Sequence, residues 1–386
     1  MTGDRRRLAL FLSGLSGGGA QRRMLTLSRA FAERGHAVDL VVVRSEGSFR
    51  PDVSPLVRLV ALEPPLARLP WIRSRKGRWV LTGVPALAEY LRRERPEVLL
   101  STSHPANIAA LWARRLARAT TRLAVSVNVQ LSRSGENARK PPPRIRLWQA
   151  RRFYRWADLV IANSQGIAED LSRVTGLPPG RIRTIHNPVA AAELEEKMRG
   201  RLDHPWFGPG SPPVLLGVGK LKPQKDFPTL LRAFARVRAA REARLVILGE
   251  GELKGDLEEL ARELGVAGDV TLPGFVPNPW PYMARASVFV LSSAWEGFSN
   301  VTAEALACGC PVVSTDCPGG GPRELLKDGA YGPLVPVGDD AAMARAILSV
   351  LDDPPAPSIL RARAAEFSVD RAVDRYLEAM LEDVGR

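Results

Sequence analysis

The chain has 386 residues, 45% hydrophobic and 25% charged, the make-up of an ordinary soluble globular protein long enough for two domains. No apolar run approaches the roughly 18 residues a membrane-spanning helix needs, and three clustered cysteines (Cys308, Cys310, Cys317) are too few for a disulfide framework. The net charge of +14 is uneven: residues 1–190 carry 33 Lys+Arg against 13 Asp+Glu, and residues 191–386 carry 22 against 28. Such asymmetry points to one half facing a polyanion, membrane or nucleic acid. Compositional drift is the alternative, since 47 of the 55 basic residues are Arg.

In chain order, MTGDRRRLALFLSG is basic and then apolar like the start of a signal peptide, but its apolar core is short and runs into GGGAQRR. A first strand entering a glycine loop fits better. Strands are predicted over 8–13, 38–43, 97–101, 123–128 and 159–164, with helices over 21–35, 86–95 and 107–119 between them. A second series of strands follows at 214–219, 245–251, 270–275, 288–293 and 311–316, again alternating with helical segments. Two successive βα series imply two doubly wound parallel sheets. The predicted division is an amino-terminal domain over 1–195, a Gly/Pro-rich linker over 196–213, a carboxy-terminal domain over 214–365 and a final helix over 366–386 that packs back across the junction.

Candidate functional residues lie at the carboxyl ends of strands, where open α/β sheets bind ligands. Gly17, Gly18 and Gly19 follow the first strand and allow close backbone approach at a helix N-terminus. The run is not G-x-G-x-x-G, which argues against dinucleotide binding. His104, in the loop after 97–101, can bond a sugar hydroxyl or a reaction-centre carbonyl, the alternative being a loop histidine without a role. In GVGKLKPQKDFPTLL, Lys220 and Lys225 bracket a strand-to-helix turn that Asp226 can cap, and two cations there suit a pyrophosphate. In EGFSNVTAE, Glu296 lies in the loop after 288–293 and Glu304 about one turn inside the next helix, which Ser299 or Asn300 can cap. Two carboxylates flanking a helix N-terminus fit a ligand that is phosphate in the middle and hydroxyl-rich at both ends, a nucleotide sugar; an ordinary acidic surface helix is the alternative.

Two basic, aromatic segments interrupt the first series. In 132–156, Ile145, Leu147, Trp148, Phe153 and Trp156 interleave with Arg144, Arg146, Arg151, Arg152 and Arg155, and 71–79 has the same character. These read as a membrane-surface element, or as a solvated basic face over a crossover helix. No groove-reading module supports nucleic acid. No D-x-D triplet lies near a strand end, so no metal ligands are expected, and no G-x-S-x-G elbow supports a hydrolase. The cysteines read as small hydrophobes in a reducing cytoplasm.

The segments GVGKLKPQKDFPTLLRAF, GFVPNPWPYMARASVFVLSSAWEGFSNVTAEALACGCPVVSTDCPGGGPRELL and YGPLVPVGD resemble retaining family 4 glycosyltransferases. GGGAQRRMLTLSRAFAERGHAVDLVV and ANSQGIAEDLSRVTGLPPGRIRTIHNPV are similar to that family's first-domain segments, so the resemblance runs from about residue 8 to residue 375. The STDCPGGGPREL stretch most resembles bacterial N-acetylhexosaminyltransferases acting on undecaprenyl-diphosphate-linked saccharides. The resemblance implies a GT-B fold, two Rossmann-like domains facing each other across a cleft. It implies that Glu304 binds ribose, that Lys220 and Lys225, next to Gly219, hold the diphosphate, and that Glu296 with the backbone of Gly297, Phe298, Ser299 and Asn300 contacts the donor sugar. His104 would contact the transferred sugar from the other domain, and Gly17–Gly19 would approach phosphates or acceptor. Two departures stand out. Lys220 replaces a frequent Arg, keeping the charge and losing the bidentate fork, and VSVNVQLSRS lacks a histidine usual near its centre.

The expectation is a retaining glycosyltransferase without metal or other cofactor. It would move an N-acetylhexosamine or hexose from a UDP-sugar to a lipid-linked saccharide or cell-surface polysaccharide, with Lys220, Lys225, Glu296 and His104 at the reaction. It is expected in the cytoplasm, peripheral at an anionic membrane face, without nucleic acid as partner. A soluble small-molecule acceptor and a catalytically inactive nucleotide-sugar-binding protein are the alternatives.

Overall fold

The computed structural model describes residues 5–16, 18–68, 78–133, 144–189 and 191–382. Two compact units divide the chain. The first comprises Met1–Pro188 with Val369–Arg386, and the second Val189–Ser368.

In the first unit, seven strands alternate with helices: β1 (Arg7–Gly14), α1 (Gly19–Glu33), β2 (Ala37–Arg44), β3 (Arg58–Ala61), α2 (Val84–Glu94), β4 (Val98–Thr102), α3 (His104–Ala117), β5 (Arg122–Val127), α4 (Arg144–Phe153), β6 (Leu159–Ala162), α5 (Gln165–Thr175) and β7 (Ile182–Thr184). All pair in parallel in the order β3-β2-β1-β4-β5-β6-β7. Successive residues of a strand point to opposite faces. Ala9, Phe11, Val41 and Val43 therefore enter one core, and Leu8, Leu10, Leu12, Leu40 and Val42 the other. With both faces covered, the strands read as continuous apolar runs. The second core is completed by α14 (Val369–Leu381), which buries Val373, Tyr376 and Met380 there.

The second unit contains α6 (Ala191–Met198), β8 (Val214–Val218), α7 (Phe227–Ala240), β9 (Arg244–Leu248), α8 (Lys254–Glu263), β10 (Val270–Gly274), α9 (Trp280–Arg285), β11 (Val288–Leu291), α10 (Asn300–Ala307), β12 (Val312–Thr315), α11 (Gly321–Leu325), β13 (Leu334–Val335), α12 (Asp340–Asp352) and α13 (Pro357–Ala365). Its six parallel strands run β10-β9-β8-β11-β12-β13.

The chain changes unit earlier than the Gly/Pro-rich stretch 196–213 suggested. The change falls at Pro188–Val189, and the return at Ser368–Val369. Residues 196–213 belong to the second unit because Met198, Trp206 and Phe207 pack against its core. Their turn-forming composition marks loops within a domain. In each sheet the strand order reverses once, between β1 and β4 and between β8 and β11. Such switch points are where doubly wound sheets open a crevice for ligands.

Candidate functional site

At the switch point of the second sheet, the loops leaving β8 and β11 are stitched together. Ala294 N–H donates to the Gln224 carbonyl (2.9 Å), Gln224 Nε2 to the Trp295 carbonyl (3.0 Å), and Ser292 Oγ to the Lys225 carbonyl (2.7 Å). Across this seam Lys225 Nζ donates to Glu296 Oε1 at 2.5 Å, and Ser293 Oγ donates to the same oxygen at 3.1 Å. The Lys225 and Glu296 side chains are only 14% and 11% exposed. Removing either would strand the other as a buried charge, at a cost of about 3–5 kcal/mol. Gly219 leaves room for the Lys225 side chain, since a Cβ there would lie 2.8 Å from Lys225 Cε and push the chain end aside.

Lys220 is exposed beside this pair, and Lys222 is half-buried between them in sequence. Burial lowers the Lys222 pKa, with Lys225 and Lys220 adding to the effect and Glu296 opposing it. Lys222 was not singled out in sequence, although KLKPQK displays all three lysines.

The Glu296 loop rests on a second glycine run. Glu296 N–H donates to the Pro318 carbonyl at 3.0 Å. A Cβ on Gly319 would lie 1.6 Å from the Glu296 carbonyl oxygen, and one on Gly321 1.7 Å from that of Gly297. Gly319 also has φ 104°, so both space and backbone conformation demand glycine. The run CPGGG thus shapes the loop bearing Glu296. Phe298 sends its ring into the core against Phe367, with centroids 5.3 Å apart, and what it offers a ligand is main chain. Ser299 occupies the position before α10, but its hydroxyl bonds that of Thr302 (2.9 Å) rather than capping the helix. Asp226 precedes α7 in the same way, its carboxylate accepting from the Thr229 hydroxyl at 2.7 Å. Glu304, in the second turn of α10 beside half-buried Asn300, accepts from Trp280 Nε1 at 3.2 Å. Trp280 is a further residue that spacing did not reveal.

In the first unit, Gly17 lies outside the described residues. Gly18 (φ 126°) and Gly19 are exposed at the start of α1. His104 is the first residue of α3 rather than part of a loop. Its Nε2 meets Gln149 Oε1 and its Nδ1 meets Tyr154 Oη, both at 3.1 Å. With an oxygen facing Nε2, that nitrogen carries the proton and Nδ1 accepts from the phenol. Burial holds the imidazole pKa below its ordinary value, so it is neutral at pH 7. Ser103 (φ 78°), Asp226 (φ 44°) and Ser299 (φ 60°) each hold a left-handed conformation one residue before a switch-point helix. Strain of this kind collects at functional sites.

Of the basic, aromatic segments, 69–77 and 134–143 lie outside the described residues. In the rest, Phe153 is buried and Trp156 half-buried, while Ile145 and Trp148 are exposed. Trp112 of α3, also exposed, stacks edge-on against Phe153 and Trp156 at 5.3 and 5.2 Å, and Arg115 and Arg152 lie over the Trp156 ring. The three cysteines are free and buried, and burial pushes the Cys308 thiol up to about 12.

Residues 17–193 match the family described as Glycosyltransferase Family 4, and residues 212–353 the one described as Glycosyl transferases group 1. The lipopolysaccharide core biosynthesis glycosyltransferase LpsE of Rhizobium meliloti is 31% identical over 374 residues, covering 94% of this chain and 96% of LpsE. The N-acetylgalactosamine-N,N'-diacetylbacillosaminyl-diphospho-undecaprenol 4-alpha-N-acetylgalactosaminyltransferase of Campylobacter jejuni is 37% identical over 201 residues. That match covers 52% of this chain and 53% of the relative, so the chain aligns with about half of its length. Among solved structures, Anabaena HepE in complex with UDP and glucose superposes with a TM-score of 0.75 at 19% identity, covering 98% of this chain and all of that one. Two all-parallel α/β units of GT-B type, both family matches and near-full-length similarity to LpsE converge: this chain belongs to glycosyltransferase family 4 and is a glycosyltransferase.

Proposed function

We propose that the enzyme transfers a sugar from a UDP-sugar to a lipid-linked saccharide, with retention of configuration and without a metal ion. The second unit takes the donor and the first the acceptor. The observation that supports the donor assignment most is the Lys225–Glu296 pair at the β8–β11 switch point, with Lys220 beside it and Glu304 on the helix that follows. An incoming diphosphate replaces Glu296 as the partner of Lys225. Glu296 is then available to a sugar hydroxyl, while Lys220 and Lys225 neutralise charge as the diphosphate departs. Glu304 takes the ribose hydroxyls. The bond from the sugar's anomeric carbon to the phosphate oxygen breaks, and the acceptor oxygen bonds on the same face. The acceptor's proton passes to the leaving phosphate. Neutral His104 exchanges its Gln149 contact for a sugar hydroxyl.

The acceptor class is supported by the names of two relatives, which act on an undecaprenol-linked saccharide and in lipopolysaccharide core assembly. It is supported also by the exposed Trp112, Trp148 and Ile145 beside Arg115 and Arg152, a surface suited to an anionic bilayer interface. Among the described residues, no helix is long and apolar enough to cross a membrane.

The test measures UDP release from a panel of UDP-sugars, with and without undecaprenyl-diphosphate-linked saccharides and in the presence of a chelator. Acceptor-dependent, chelator-resistant release giving the donor's anomeric configuration is the expected result. Donor binding without release on any acceptor would sink the proposal. Sedimentation with phosphatidylglycerol vesicles at low salt, lost at high salt, tests the surface.

A further inference from the structure

We infer that the carboxyl end of the first sheet contains a phosphate-class anion site centred on Arg23, which takes the charged group of the acceptor. Arg23 lies one turn inside α1 and is 4% exposed. Its Nη1 donates to Asn128 Oδ1 (2.6 Å) and Asn187 Oδ1 (2.9 Å), and its Nη2 to Thr102 Oγ1 (2.8 Å) and Ser126 Oγ (3.0 Å). Nε has no partner. These four acceptors stand at or just beyond the ends of β4, β5 and β7, and every one is neutral.

A buried cation ordinarily meets a carboxylate. Elsewhere in this chain that rule holds, as Arg363 with Glu366 and Lys225 with Glu296 show. Around Arg23 the dipoles of amides and hydroxyls fix the guanidinium in place and leave its full charge uncancelled. The surroundings suit an anion in two further ways. The start of α1 above it is exposed, begins at a glycine with no side-chain cap, and carries no acidic residue in its first turn. Nearby, Gln130 Oε1 and Asn163 Oδ1 are buried oxygens without partners, beyond the ends of the neighbouring strands β5 and β6. A cation with free helix N–H groups receives phosphate, and unpaired amide oxygens receive hydroxyl donors. A sugar joined to a phosphate or diphosphate presents both.

Naming the acceptor as the source rests on the assignment of this unit to the acceptor. Anion binding itself does not. The decisive variant is Asn128→Asp, which sets a carboxylate against Arg23 with almost no change of shape. The full-length protein and its Asn128→Asp and Arg23→Gln variants are titrated calorimetrically with geranyl diphosphate and with UDP, and their Tm values compared.

The expected result is a loss of about tenfold or more in geranyl diphosphate affinity in both variants. UDP binding should stay within about twofold, and Asn128→Asp should melt no lower than wild type. Weakened UDP binding in both variants would keep the anion site and assign it to the donor's diphosphate. If Asn128→Asp melts higher yet binds both ligands like wild type, Arg23 is only a staple between α1 and the strand ends, and the inference falls; this holds even if Arg23→Gln does not fold. Wild type that binds neither ligand overturns it as well. Wild type that binds geranyl diphosphate through Arg23 but transfers no sugar from any UDP-sugar to a lipid-linked saccharide would leave this site standing and defeat the proposed donor and acceptor instead.

Discussion

At the switch point of the second sheet a lysine is matched by a carboxylate, whereas in the first a buried guanidinium is hydrogen-bonded, among the described residues, by amides and hydroxyls. The first arrangement is electrically closed, and on the proposed reading the donor's diphosphate opens it. The second is open and awaits its counter-charge. The two also differ in how they are encoded. Lys220, Lys225, Glu296 and Glu304 come from two short windows of sequence, while the partners of Arg23 are spread to a separation of 164 residues. A site built from local windows can be read along the sequence. One gathered from distant strand ends cannot.

The largest expected effect tests the closed pair and its neighbour. Lys225→Ala and Glu304→Ala should each lower kcat/KM at least about 100-fold, the scale of losing one electrostatic stabiliser. Turnover by both at the wild-type rate would remove the donor site from the second unit. Next is the glycine cradle. Gly321→Ala places a Cβ 1.7 Å from the Gly297 carbonyl oxygen. It should raise KM for the nucleotide sugar about tenfold and cost about 1–3 kcal/mol in thermal unfolding. An unchanged KM would mean that the loop's shape does not matter to the donor.

A smaller effect of opposite sign is expected in the first unit. The Tyr376 hydroxyl is buried without a partner among the described residues, so Tyr376→Phe should hold or raise stability by about 1 kcal/mol. A clear loss would reveal a hydrogen bond for that group. The smallest effect concerns His104, whose pKa is lowered by burial. The unfolded chain then binds more protons than the folded one below the ordinary value of 6.5, and the stability from keeping this ring neutral is lost as pH falls through that region. His104→Gln should flatten the pH dependence of Tm as pH falls below about 6.5. An identical slope would show that the ring titrates freely.

The alternation of βα units was legible because strands buried on both faces become runs such as LALFL and VDLVVV. The missed strands, β3, β7 and β13, have four, three and two residues, and β3 is half exposed, so none forms such a run. The lysine and glutamate positions were legible from spacing and chemistry. Their pairing was not, because residues 225 and 296 meet only when β8 and β11 lie side by side. The left-handed backbone at Ser103, Asp226 and Ser299 carried no signal, since none of the three is a glycine. Arg23 was hidden for a simpler reason. In GGGAQRRML it is one of two adjacent arginines, and only the phase of α1 buries Arg23 and leaves Arg22 in solvent.

The path of the chain through the two units carries a consequence for its biosynthesis. The second unit is continuous, from Val189 to Ser368, but the first needs α14, which is translated only after the second is complete. Until then the face formed by Leu8, Leu10, Leu40 and Val42 lacks Val373, Tyr376 and Met380. As the polypeptide leaves the ribosome, the later-made unit is therefore the first able to finish folding, the reverse of the usual amino-terminal order. The earlier-made unit must wait with an apolar surface uncovered, and it is there that a chaperone would find its binding site.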